Sequence, residues 1–294
     1  MDMDRQKQAT WISGSKPTLE GAGVHLKRAF GYNEVPMLDP FLLLDHFGSN
    51  NPRDYLAGFP WHPHRGIETI TYMLHGQTEH GDSMGNKGVI YPGYVQWMTA
   101  GSGIIHQEMP KPYKPDGHLL SGFQLWANLP ASDKMMDPRY RDVHKDEIPE
   151  IEVEGGASVK VVAGTVDGTS GPVQDIVTNP EYLDVTLPAY AKFTREFPED
   201  HKVFAFVFDG EGKFDGKNAS KVGEETLLVF GDGDFIEVSA SQKPVRFILV
   251  SGRPIGEPVA WYGPIVMNTD EELHVAFQEY ENGTFIKHGS DPEA

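Results

Sequence analysis

The sequence predicts an all-β protein: two β-barrels joined by a charged linker, with one short helix near the C-terminus. Three observations lead there. Runs that alternate apolar and polar residues, or that concentrate β-branched and aromatic ones, recur along most of the chain. The 32 glycines and 22 prolines are spread between those runs rather than massed in one tract, as many turns require. The pattern of the first half also returns in the second, as a duplicated unit would.

Taken in order, IETITYML (Ile67 to Leu74) is β-branched and aromatic, and GYVQWMTAG (Gly93 to Gly101) alternates apolar and polar residues. SVKVVAGTV, YLDVTLPAY, VFAFVFDGEG, ETLLVFGDGDFIEV and VRFILVSG follow as further strands, separated by short glycine- or proline-bearing turns. Strands at such short intervals speak for barrels or sandwiches rather than alternating β and α units. YPGYVQWMTA (Tyr91 to Ala100) has the same turn-then-strand shape as FGDGDFIEVSA (Phe230 to Ala240). FPWHPHRG with YMLHG matches FPEDHKVFAFVFDGEG (Phe197 to Gly212) in the same way. Between the halves, ASDKMMDPRYRDVHKDEIPE is charged and poor in strand signal. The expected organisation is an N-terminal barrel domain over residues 1–130, a linker over 131–150 and a C-terminal barrel domain over 151–294. The helix is read in NTDEELHVAFQEY, where Thr269 and Glu272 form a capping box. Leu273, Ala276, Phe277 and Tyr280 then share one face, expected to pack on a barrel.

Composition removes several classes of function. The chain has no cysteine, so disulfides, thiolate metal sites and cysteine nucleophiles are all excluded, and any metal must be held by nitrogen and oxygen. A formal net charge of -18 repels a phosphate backbone, and no run of Lys or Arg counters it, so direct nucleic-acid binding is not expected. The opening MDMDRQKQATWISG has no apolar core of the signal-peptide kind, and no apolar run approaches the roughly 20 residues a membrane span needs. A soluble cytoplasmic protein is expected. A monomer is expected too, because two linked barrels can cover each other's faces.

The chemistry concentrates in two short motifs. In FPWHPHRG, His62 and His64 stand at i and i+2, so a strand turns both imidazoles to one side. Pro63 stiffens the segment between them, and Gly66 marks a bend or a close backbone approach. In GSGIIHQEMP, His106 and Glu108 repeat the i, i+2 spacing. If the two strands are neighbours, three neutral nitrogens and one carboxylate oxygen face one point, a donor set for a first-row divalent ion rather than magnesium or calcium. Four ligands on an octahedral ion leave two positions for water, dioxygen or a chelating substrate. Glu68, at i+4 from His64, lies on the same face by strand parity, so spacing leaves Glu68 and Glu108 both open as the acidic ligand. Of the other histidines, His75 and His80 read as solvated or loop residues, His46 as packing or lining a cavity, and His118 as lying near a barrel mouth. In the second half only His201 answers the HxH pair, and VRFILVSG has no ligand-type side chain, so that barrel is expected to hold no metal.

FPWHPHRGIETITYMLHG, HGDSMGNKGVIYPGYVQWMTAGSGIIHQEMP and GFQLWANLP, with LDPFLLLDHFG upstream, resemble the pirin family, bicupins of the cupin superfamily. HPHRG followed by GIIHQEMP at this spacing is much more specific than an HxH pair alone. The resemblance implies two jelly-roll cupin domains with metal only in the N-terminal one. It implies His62, His64, His106 and Glu108 as ligands, preferring Glu108 to Glu68. It implies Fe(II) as the cofactor, in a type of site that also accepts Mn, Ni, Cu or Zn. The activity it implies is that of a quercetin 2,3-dioxygenase, an oxidoreductase that cleaves a flavonol with O2 and releases carbon monoxide. Its partners would then be a small aromatic substrate and O2. Glu108 would serve as ligand and as catalytic base, and Trp61, Tyr72 and Trp97 are candidates to frame a flat ring, with Trp97 better read as packing. The alternative the family implies is non-enzymatic: a metal- or redox-dependent regulator that binds a transcription factor or a metabolic enzyme.

Overall fold

The computed structural model describes residues 6–35, 37–214 and 220–288, so residues 1–5 of the N-terminal segment read above lie outside it. Among the described residues there are 24 strands and a single α-helix, Asp270–Glu281. Among the described residues no helix is long and apolar enough to cross a membrane. The chain divides into two compact units, one made of Lys16–Lys145 with the chain from Ile255 onward, the other of Asp146–Pro254 with the chain before Lys16.

In the first unit a seven-stranded sheet runs in the order Arg139–Val143, Val95–Thr99, Ile67–His75, Leu120–Asn128, Phe41–Ser49, Val24–Phe30, Lys16–Glu20. A four-stranded sheet runs in the order Phe59–His64, Ile104–Lys111, Gln77–Asp82, Lys87–Ile90. Every neighbour pair in both sheets is antiparallel. Two apolar clusters join them: Val24, Phe47, Met73 and Leu120 with Ile90, and Leu42, Ile67 and Met98 with Ile104. Phe59–His64 is an edge strand, which is why it tolerates Pro60 and Pro63: neither has an N–H to give to a ladder.

In the second unit the 18-residue strand Phe235–Gly252 pairs with Glu181–Leu187, Lys192–Glu196 and Lys202–Lys213. An apolar cluster forms its core, built from residues such as Val159, Leu183, Ala205, Val207, Phe247 and Leu249.

The division of the chain departs from the expected 1–130, 131–150 and 151–294. Ala9–Gly14 is a strand on Thr226–Phe230, so the N-terminus belongs with the second barrel. Arg139–Val143, inside the expected linker, pairs with Val95–Thr99 and closes the edge of the seven-stranded sheet. The tail from Ile255 belongs with the first barrel: the hairpin Ala260–Tyr262 and Ile265–Met267 packs with Leu273, Ala276 and Phe285 and with half-buried Ile105. These placements follow from partners far along the chain, which local alternation does not reveal.

The capping box is present as read, with the Thr269 side chain accepting from Glu272 N–H and the Glu272 carboxylate accepting from Thr269 N–H. Leu273 and Ala276 are buried, but Tyr280 is 40% exposed, so the apolar stripe is narrower than the sequence suggests. Arg65 fastens this helix to the HxH motif. Its guanidinium donates to Ser102 O at 2.7 Å and to Phe285 O at 2.9 Å, meets Glu279 at 2.8 Å and lies over the Phe285 ring. Beside it the Lys134 ammonium is held by Gly66 O, Asn128 Oδ1 and Val266 O at 2.6–3.1 Å, while burial pushes its pKa down to about 7.

Candidate metal centre

The four-stranded sheet places the two motifs side by side. His62 is the cross-strand partner of His106, and His64 that of Ile104, so three imidazoles meet on one face. One ligand nitrogen from each of His62, His64 and His106 lies within 4.8 Å of the others. The ring centroids are 4.4 Å apart for His62 and His106 and 5.0 Å for His64 and His106.

The proton positions follow from the neighbours. His62 Nδ1 is 2.8 Å from Pro60 O and His64 Nδ1 is 3.0 Å from Pro264 O. A carbonyl only accepts, so each Nδ1 carries the hydrogen and each Nε2 of the neutral ring keeps a lone pair. Those two Nε2 atoms face each other at 3.1 Å. Two lone pairs at that distance need a positive charge between them, a proton or a metal cation. His106 fits the cation better: it is 1% exposed, and both of its nitrogens are buried without a hydrogen-bond partner. Burial and the neighbouring His62 ring push the His64 pKa down to about 3. Burial, then His64 and His62, hold His106 well below the usual range. Unprotonated imidazoles converging on one point are the form in which histidine binds a transition metal. The residues present therefore fit such an ion.

Glu108 is not in that group of three. It lies two residues beyond His106, after a register shift, and its Oε1 is 2.9 Å from Thr71 Oγ1. Thr71 Oγ1 is also 2.8 Å from the Gln124 side-chain oxygen. With one proton to give, the hydroxyl favours the charged acceptor.

Glu68 is removed from the choice of carboxylate. Strand parity from His64 does not hold, because Arg65–Gly66 separates Phe59–His64 from Ile67–His75, and Gly66 has φ of 77°. Glu68 pairs across to Thr99 and accepts its hydroxyl at 2.6 Å. Burial raises its pKa above the usual carboxylate range. The protonated form is therefore the one the fold favours: the stability it contributes is present below the unfolded value and is lost as pH rises through the folded one. Glu68→Gln should leave the cation content unchanged. It should match the unaltered protein in thermal midpoint near pH 4.5 and exceed it at pH 8 by a shift on the order of 2–4 °C for each kcal/mol relieved. A cation content that falls with the substitution would return Glu68 to the site.

Other histidines separate clearly. His75 is exposed, His118 is exposed, and His46 stacks on Phe123. His80, read as a loop residue, instead lies on the strand Gln77–Asp82 with its side chain fully buried, its ring 5.4 Å from His106. Its signal was the i, i+2 spacing with Asp82, which the intervening glycine obscures. In the second barrel His201 meets Ser251 Oγ at 3.2 Å, and among the described residues no cation-binding group forms there.

A cavity of about 750 Å³ opens over His62 and His64, lined also by Thr71, Glu108 and Gln124 and walled by Trp61, Trp126, Trp261 and Tyr32. That volume suits a drug-sized ligand. Trp126 stands edge-on to His64 at 5.0 Å. Tyr72, a sequence candidate to frame a ring, is instead a core residue at 1% exposure, and Trp97, better read as packing, is a core residue at 2%. Arg28 is paired bidentately with Asp45 at 2.8 Å and also with Glu20 at 2.9 Å on the same cavity's wall.

Comparison with known proteins agrees with this architecture. The model of the pirin family matches residues 23–127, and that of the pirin C-terminal cupin domain matches residues 182–286. A pirin-like protein of Caulobacter vibrioides is 44% identical over 280 residues, covering 93% of this chain and 97% of its own. The crystal structure of a quercetin 2,3-dioxygenase from Acinetobacter baumannii superposes with a TM-score of 0.86 at 31% identity, over 95% of this chain and 98% of that one. A bacterial pirin from Escherichia coli, solved in complex with nickel(II), shares the fold at a TM-score of 0.62 and 21% identity, over 83% of this chain and 98% of that one. Two cupin-type domains, matching family models across both and a relative this similar over nearly its whole length make the chain a member of the pirin family.

Proposed function

We propose that this chain is a metal-dependent dioxygenase that cleaves a flavonol such as quercetin with O2. The observation that carries the reading is the convergence of three imidazoles, two of them lining a cavity walled by indole rings. His62, His64 and His106 would hold the cation, with Glu108 as the fourth ligand. The nitrogen-rich set with one carboxylate suits Fe(II), and also Mn, Ni, Cu or Zn. When bound, such an ion supplies Lewis acidity that lowers the pKa of a coordinated hydroxyl and an open position for a further ligand.

The chain's own residues supply the rest. Glu108 is the base for the flavonol 3-hydroxyl proton, and the Thr71 hydrogen bond fixes one of its oxygens so that the other can receive it. Trp61, Trp126 and Trp261 hold a flat ring system and keep water from the reacting face. Glu20 and Asp45, both paired with Arg28, form a polar wall of the same cavity. The same carboxylates accept hydrogen bonds from phenolic hydroxyls. The resemblance of the Acinetobacter baumannii dioxygenase over nearly the whole chain also supports this reading.

The test is anaerobic iron loading followed by quercetin and O2. Loss of flavonol absorbance with release of one carbon monoxide per quercetin and per O2 consumed is the expected result. An iron-loaded protein that turns over no flavonol would favour the regulatory role instead, and a pull-down that depends on the metal's oxidation state would then be the measurement to make.

A further inference from the structure

The four-stranded sheet carries a third pair at the i, i+2 spacing. Beside His62 and His64 on one strand and His106 and Glu108 on the next, the strand Gln77–Asp82 bears His80 and Asp82. The register sets Asp82 opposite His106 and His80 opposite Glu108. Both side chains are fully buried, and neither has a role in the reading above.

Asp82 is firmly anchored. Its Oδ1 accepts from the Met84 and Asn86 backbone N–H groups at 2.9 Å each, and its Oδ2 accepts from Asn86 Nδ2 at 2.8 Å. His80 Nε2 lies 3.4 Å from that same Oδ2. A carboxylate only accepts, so Nε2 carries the hydrogen and Nδ1 keeps its lone pair. That Nδ1 is buried without a partner. Tyr140 packs on the His80 ring at 5.0 Å, with its own hydroxyl fixed on Asp142 at 2.7 Å.

His106 has the complementary deficit. A neutral imidazole that turns one nitrogen to a cation carries N–H on the other, and that N–H takes an acceptor that sets ring and tautomer. His62 has Pro60 O for this and His64 has Pro264 O. His106 has no carbonyl, and both its nitrogens are unpartnered. We propose that His80, oriented by Asp82, is the positioning residue of His106, its Nδ1 accepting the N–H that His106 presents when its other nitrogen faces the cation. The 5.4 Å between ring centroids is closed by a small rotation or by one buried water. The assignment rests on the metal reading above.

The test uses the full chain stripped of metal and titrated with Co(II) alone, against a chelating indicator. Paramagnetically shifted, exchangeable imidazole N–H resonances are followed in the same samples. The unaltered protein should bind Co(II) and show three such resonances. His80→Leu should raise the Kd by about 10–100-fold and lose one resonance to solvent exchange. His80→Asn, whose Oδ1 stands near the Nδ1 position, should bind within about threefold of the unaltered protein and retain the third resonance. Unchanged affinity and spectrum in His80→Leu overturn the assignment alone. Equal weakening in both variants also overturns it, because the loss then tracks ring packing rather than the acceptor. Failure of the unaltered protein to bind Co(II) overturns the metal reading and this assignment together.

Discussion

A protein carrying His106→Ala is expected to lose its cation and keep its fold. Loss of an outer partner of a metal-bound histidine weakens binding by about 10–100-fold, and loss of a ligand itself should exceed that. His62, His64 and Glu108 would remain, but the imidazole that faces His62 across the sheet would be gone. The fold should survive because His106 makes no side-chain hydrogen bond that other groups depend on. The cavity left costs roughly 1–3 kcal/mol, offset in part by removing two buried, unpartnered nitrogens. Elemental analysis of protein purified without added metal, beside a thermal melt of the metal-free form, measures both halves. A variant with full cation content would take His106 out of the site.

Gly66→Ala should have the largest effect on stability. Gly66 has φ of 77°, a region a side chain rarely adopts, and a Cβ there would stand 2.0 Å from Val266 O. Backbone on both sides leaves nothing flexible to move. Gly66 N–H is bonded to Gly101 O at 2.8 Å, and Gly66 O takes the buried Lys134 ammonium at 2.9 Å. Accommodating one methyl group therefore means displacing the hairpin that carries Val266. We expect a loss of at least about 3 kcal/mol, a fall in thermal midpoint of roughly 6–12 °C. The hairpin also carries Pro264, the acceptor for His64, so Co(II) affinity should fall with it. A variant with unchanged midpoint and affinity would show the hairpin to be free of the motif.

The convergence of the histidines was legible because period-2 spacing needs only that each segment be a strand, and edge-tolerant prolines and β-branched neighbours made that clear. The Thr269–Glu272 cap was legible for the same local reason. Glu68 was misplaced because parity was counted across Gly66, where the chain breaks its strand. His80 was missed because HGD offers no apolar alternation; only the pairing of Gln77–Asp82 with Ile104–Lys111, which sets His80 opposite Glu108, brings its ring near His106. The exchange of termini between the two units was beyond reach for a related reason. Ala9–Gly14 alternates as any strand does, and nothing in those residues names Thr226–Phe230 as its partner.

The return of the tail to the first barrel has a temporal consequence. His64 and the carbonyl that fixes its tautomer are 200 residues apart in sequence. At a ribosomal rate of about 5–20 residues per second, the histidine emerges roughly 10–40 s before its acceptor is made. Arg65, waiting for Phe285 and Glu279, is delayed further. The pocket thus stays incomplete until residues 264–285 have followed, and the three imidazoles reach their final surroundings only after the whole intervening barrel has been made.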